Sequence, residues 1–109
     1  MSTKLRRIDY IEYIDGGKYE SQQIIFTIDS NKYVLYPYNF EHKEFQELFN
    51  GLNTGDDINL TYKRVLYKYI FRNIIVDLNI NGKTIQTIES YNNFHTEFDS
   101  YYIILMILL

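Results

Sequence analysis

Ile74-Ile-Val-Asp-Leu-Asn-Ile-Asn-Gly-Lys-Thr-Ile-Gln-Thr-Ile88 is the stretch that decides the fold class of this chain. Ile74, Val76, Leu78 and Ile80 alternate with Ile75, Asp77 and Asn79, the period of two expected of a strand with one buried face. Asn81-Gly82 then offers the residue pair that most readily takes positive φ in a two-residue hairpin turn, leading into a returning strand over Thr84 to Ile88. Working back towards the N-terminus, Ile58, Leu60 and Tyr62 alternate with Asn59, Thr61 and Lys63, which predicts another half-buried strand behind the loop Asn53-Thr-Gly-Asp-Asp57.

The first third reads as a meander. Ile8 to Ile14 alternates apolar and charged residues and predicts a strand; Asp15-Gly16-Gly17-Lys18 has turn chemistry, and Tyr19 to Ile28 returns. Asp29-Ser30-Asn31-Lys32 is a second polar turn before a strand over Tyr33 to Tyr36, ended by Pro37, which has no N–H to give to a ladder. Within Phe40 to Leu52, Phe45, Leu48, Phe49 and Leu52 follow the i, i+3, i+4, i+7 spacing of an amphipathic helix, with Asn39 as N-cap and Gly51 as the stop. Ser90 is placed to cap a second helix carrying Tyr91, Phe94, Phe98 and Tyr101 or Tyr102. Val65 to Arg72 is ambiguous. The order β-β-β-α-β-β-β-α predicts one α+β domain over residues 1–109, a small antiparallel β-meander or roll or a partly open barrel of about six strands with two helices. Its size range is that of OB-like and SH3-like domains.

Composition bounds the chemistry. The 109 residues carry a net charge of −3, with 12 Tyr and 7 Phe but no Trp and no Cys. The lack of Cys removes disulfides, thiolate metal sites and cysteine nucleophiles. Ala, the best helix former, is also absent while 16 residues are Ile, which favours sheet over helix. No P-loop, G-x-G-x-x-G, G-x-S-x-G or EF-hand pattern occurs, and Gly16-Gly17 has no following helix for a phosphate site. His42 and His95 stand apart without the spacing of zinc ligands. Glu41, Glu44 and Glu47 suit the start of a helix, and Asp56-Asp57 suits a turn, so none needs a catalytic explanation. No cofactor is expected. The basic N-terminus lacks the uninterrupted apolar stretch of a cleaved signal, which predicts a cytoplasmic protein.

Three segments are left as candidates for contact. Tyr33, Tyr36 and Tyr38 form the expected aromatic sheet face, because 12 tyrosines exceed what a small core encloses with every hydroxyl paired. Tyr101, Tyr102, Ile103, Ile104, Leu105, Met106, Ile107, Leu108 and Leu109 form an apolar segment too short to span a membrane alone, read as core, dimer contact or membrane anchor. Residues 62–72 hold four cations and four aromatics with no acid, a composition that suits single-stranded nucleic acid. As one strand, however, they would put Val65, Tyr67, Tyr69 and Phe71 on one face and Leu66, Lys68, Ile70 and Arg72 on the other, parting the rings from most of the charge. The leading expectation is therefore a non-enzymatic module that binds another protein or itself as a homodimer. In general composition it resembles small toxin-neutralising immunity proteins. The alternatives are a domain tethered to a bilayer by its C-terminus, with Tyr101 and Tyr102 at the interface, and, more distantly, nucleic-acid binding through residues 62–72 with affinity falling steeply in salt.

Overall fold

The Asn81-Gly82 hairpin is present as expected, and the rest of the architecture can be assembled around it. The computed structural model describes residues 4–15, 22–67 and 69–92. In chain order these form β1 (Lys4–Arg7), β2 (Tyr10–Ile14), β3 (Gln23–Ile28), β4 (Asn31–Leu35), a 3-10 turn at Pro37–Asn39, helix α1 (His42–Asn50), β5 (Asp57–Tyr67), β6 (Ile70–Ile80) and β7 (Lys83–Gln86), with residues 88–92 helical. Asn81 and Gly82 take φ of 52° and 81°, the positive pair that matches the twist of the flanking strands. The Asn81 side chain also accepts from the Asp57 N–H (3.0 Å), while its own N–H donates to the Asp57 carbonyl (2.9 Å), which pins the start of β5 to the turn.

The sheet runs β1-β5-β6-β4-β3-β2, and β7 pairs with the far end of β6. β2, β3 and β4 form the expected antiparallel meander, but β4 then joins β6 in parallel, with Tyr33 opposite Asn73 and Val34 opposite Ile74. The sheet is therefore mixed, which corrects the wholly antiparallel expectation. A parallel pair needs a long crossover, here α1 and β5, so no local turn signal announces it.

The two outermost strands of that order, β1 and β2, are consecutive in the chain and separated only by Ile8 and Asp9. Three peptide steps from Arg7 to Tyr10 reach at most about 11 Å. Six flat strands would part their edges by about 24 Å. The sheet must therefore curl into a half-barrel. At the crossing, the Ile8 N–H donates to the Asp56 carbonyl beside β5 (3.0 Å), and the Asp9 N–H donates to the Thr27 carbonyl of β3 (2.9 Å). Gly55, at φ 88°, brings its N–H onto the Ile8 carbonyl (2.7 Å), a conformation that other side chains adopt only with strain. The predicted strand over Ile8 to Ile14 is thus β2 alone, starting at Tyr10, while Ile8 and Asp9 form the crossing from β1, a strand that the sequence did not announce.

The curl encloses Ile8, Ile24, Phe26, Ile28, Leu35, Ile58, Leu60, Ile75, Leu78 and Ile80. Strand β3 shows the clean alternation, Ile24, Phe26 and Ile28 buried between half-buried neighbours. Strand β6 does not: a bulge opposite Thr61/Tyr62 skips Val76, so Ile75 rather than Ile74 joins the core. Helix α1 adds Phe45, fully buried and ringed by Phe40 and Tyr13 at 5.6 and 6.2 Å, with Leu48, Phe49 and Leu52 packed behind it. This matches the predicted apolar stripe. Its N-cap is Glu41, not Asn39, because Pro37–Asn39 is consumed by the 3-10 turn; Gly51 closes the helix as expected. The last helical turn is capped by Thr87 rather than Ser90. The Ser90 N–H donates to Thr87 Oγ1 (3.1 Å) and the Thr87 N–H to Ser90 Oγ (3.4 Å), a reciprocal box. The predicted turn at 16–18 and the helix positions Phe94 and Phe98 lie outside the described residues.

Candidate functional site

The segment that the sequence left ambiguous, Val65 to Arg72, is the end of a long hairpin. β5 stops at Tyr67 and β6 starts at Ile70, with Tyr67 opposite Ile70, Leu66 opposite Phe71 and Val65 opposite Arg72. No Gly or Asn marks this turn, and Tyr69 occupies it at φ 66°, a left-handed conformation unusual for a bulky residue. That is why the turn was not legible, and its presence overturns the one-strand face assignment. Leu66 and Phe71 share one face with Arg64, while Ile70 and Arg72 share the other with Val65 and Lys63.

The result is an exposed apolar tip. Tyr69 is 99% exposed, Ile70 62%, Phe71 59% and Leu66 57%. The other large exposed apolar residues among the described ones, Tyr10, Ile14 and Ile88, lie elsewhere on β2 and the last helical turn. Behind the tip come cations. The Arg64 guanidinium sits 4.6 Å from the centre of the Phe71 ring, and Arg72 Nη1 donates to the Tyr36 hydroxyl (3.0 Å). Among the described strands, residues 63–67 of β5 pair only with β6, and residues 70–72 of β6 only with β5. The ribbon thus carries its tip beyond the curled sheet. Charge is partitioned in the same way. Lys63, Arg64, Lys68 and Arg72 are four of the 11 Lys and Arg, and no acid occurs between Asp57 and Asp77, so the other seven cations share the chain with all 14 acids.

The expected Tyr33, Tyr36 and Tyr38 group is divided. Tyr36 and Tyr38 stack with ring centres 5.6 Å apart and planes 8° from parallel. Tyr33 lies opposite Phe26 on the core side, its ring edge-on to Tyr62 at 5.0 Å. Burial pushes the Tyr33 phenol above its ordinary value, Tyr62 and Asp29 add to the rise, and Arg6 opposes it. The segment 101–109 lies outside the described residues, and no helix among them is long and apolar enough to cross a membrane.

Four of the aspartates have structural partners. Asp29 pairs with Arg6, Asp57 lies 3.8 Å from Arg7, Asp9 accepts from the Asp29 N–H (2.8 Å) and Asp56 from the Asn53 N–H (2.9 Å). His42 accepts from the buried Gln22 amide (3.2 Å), and no group of three or more metal-ligating side chains occurs among the described residues. The chain matches no family model, no curated protein and no solved structure.

Proposed function

We propose that the protein is a non-enzymatic docking module whose contact element is the tip of the β5–β6 hairpin, and that the tip engages another macromolecular surface. The observation that carries this reading is the cluster Leu66, Tyr69, Ile70 and Phe71, apolar and exposed together at one projecting turn. Such side chains in water are tolerated singly; a contiguous group at a projection has the character of a contact site. The strain at Tyr69 supports it, since Asn or Gly would serve the turn better by roughly 1 kcal/mol. In finer architecture, counting the bent β1–β2 arm as one strand leaves five strands in the curl, with β7 added beside β6, a partly open Greek-key barrel of OB type. In that type the loop between the last two barrel strands is a customary contact element. Likeness of fold carries no function by itself, so the reading rests on the tip.

A photo-crosslinking residue placed at position 69, in the cells that make the protein, should give discrete adducts, whereas the same group at Glu47 on α1 should not. A polypeptide adduct identifies a protein partner, and one of twice the chain mass a second copy. Equal labelling at both positions, or none at 69, overturns the reading. With the crosslinking residue kept at 69, Phe71→Ser should abolish the adducts; the separate Tyr69→Asn variant should gain about 1 kcal/mol of stability in chemical denaturation.

A further inference from the structure

Resting on the docking reading, we infer that the surface engaged by the tip is an anionic lipid bilayer, entered by Leu66, Tyr69, Ile70 and Phe71, with Lys63, Arg64 and Arg72 at the level of the headgroups. The side chains around the hairpin are distributed as an embedded tip requires. Apolar groups occupy both faces at the tip, Leu66 and Phe71 on one, Ile70 on the other, and Tyr69 at the apex. A groove on a protein partner would cover one face and leave the opposite one wet. A bilayer surrounds a projection on every side and buries all four at once. The cations are distributed likewise, Arg64 on one face and Lys63 and Arg72 on the other, so that they form a collar behind the tip.

The spacing also fits. From Arg64 to the end of β5 is three residues, about 10 Å of strand. Interfacial segments bury their apolar side chains by about 5–10 Å beneath the headgroups. Insertion to the collar would therefore place the guanidinium of Arg64 among the phosphates while Phe71 and Leu66 lie below them. Tyrosine is itself favoured at this boundary, where the ring is apolar and the hydroxyl stays wet. The charge partition supplies orientation: a chain that is acidic overall presents to the surface its longest stretch without an acid, between Asp57 and Asp77.

The absence of Trp from the chain makes the test direct. Tyr69→Trp places a single indole at the tip, and Glu47→Trp places one on α1. β4 runs parallel to β6 and so delivers the chain to α1 at the end of the sheet away from the tip. Each full-length variant is titrated with vesicles of phosphatidylcholine and with vesicles in which a third of that lipid is replaced by phosphatidylglycerol. Reading the indole rather than total partition separates the tip from the apolar segment 101–109. We expect the emission from position 69 to move to the blue with anionic vesicles alone and to return with added salt, while position 47 does not respond. In the Tyr69→Trp background, Lys63→Gln and Arg64→Gln should each weaken the response about fivefold, one from each face of the collar. Phe71→Ser should weaken it at least tenfold with thermal unfolding unchanged. No shift at 69 with anionic vesicles, an equal shift with neutral ones, or an equal shift at 47 overturns the inference. If vesicles fail but crosslinking at 69 captures a polypeptide, the bilayer is excluded and the docking reading stands; if both fail, both fall.

Discussion

Tyrosine is the commonest aromatic residue of this chain, with 12 against 7 Phe, and its members do different work according to their neighbours. At Tyr69 the ring stands in water on a strained backbone; at Tyr36 and Tyr38 two rings stack against each other with one hydroxyl held by Arg72. At Tyr33 the ring faces the core, and burial raises its pKa above the ordinary value near 10. The sign of the pH dependence follows. Below about pH 10 the folded and unfolded chains both keep the proton, and the contribution of Tyr33 is fully present. As pH rises through the folded pKa that contribution is lost, because the unfolded chain ionises more readily. Tyr33→Phe should therefore flatten the alkaline fall in stability relative to the parent, measured by urea unfolding at a series of pH values from 8 upward. An identical slope in both proteins would show that burial of this phenol does not reach the folded-state equilibrium.

Among the elements, α1 shows how a short helix is held by context. Nine residues are too few to persist alone in water, and its N-cap Glu41 makes no side-chain cap bond. What holds it is Phe45, fully buried and in ring contact with Phe40 and Tyr13, with Tyr13 also 5.0 Å from Phe49. Phe45→Ala should cost about 3–5 kcal/mol. In hydrogen exchange it should release the amides of residues 45–51 before those of β3, since the remaining anchors Leu48, Phe49 and Leu52 are only half-buried. The β5–β6 hairpin is the opposite case. Its first half is held by β1, β4 and β7, whereas among the described strands its last pairs join β5 to β6 alone, with Arg72 also reaching Tyr36. An element so anchored can present a tip without disturbing the core.

For the whole molecule, the decisive feature is the crossing at Ile8 and Asp9, where one arm of chain closes the sheet by bonding to both of its edges. Ile8 is 2% exposed and lies in the core cluster, and its N–H and C=O both serve the closure. Ile8→Ala should cost about 2–5 kcal/mol, because the fixed hydrogen bonds on either side prevent the arm from collapsing into the space. In the parent, the amides of Ile8 and Asp9 should exchange only with global unfolding. Fast exchange at these two positions while β3 stays protected would mean that the sheet opens along this seam.

Residue patterning alone was enough for the half-buried first part of β5, the Asn81-Gly82 turn, the apolar stripe of α1 and its stop at Gly51, because each is set by contacts within a few residues or by a two-residue period. The same patterning placed four cations and four aromatics without an acid in residues 62–72. It could not place the turn at Tyr69, whose positive φ is imposed on a residue that does not prefer it. That single turn moved Ile70 and Arg72 to the face of Val65 and Phe71 to the face of Leu66. Nor could it place the parallel pairing of β4 with β6 or the change of partner at Ile8. The contacts concerned join residues 18 to 48 apart in the chain, and nothing local distinguishes one distant edge from another. The composition of the tip was thus determined by the sequence, while its projection, its two apolar faces and its collar of charge were decided only when the tertiary structure chose the partners of its strands.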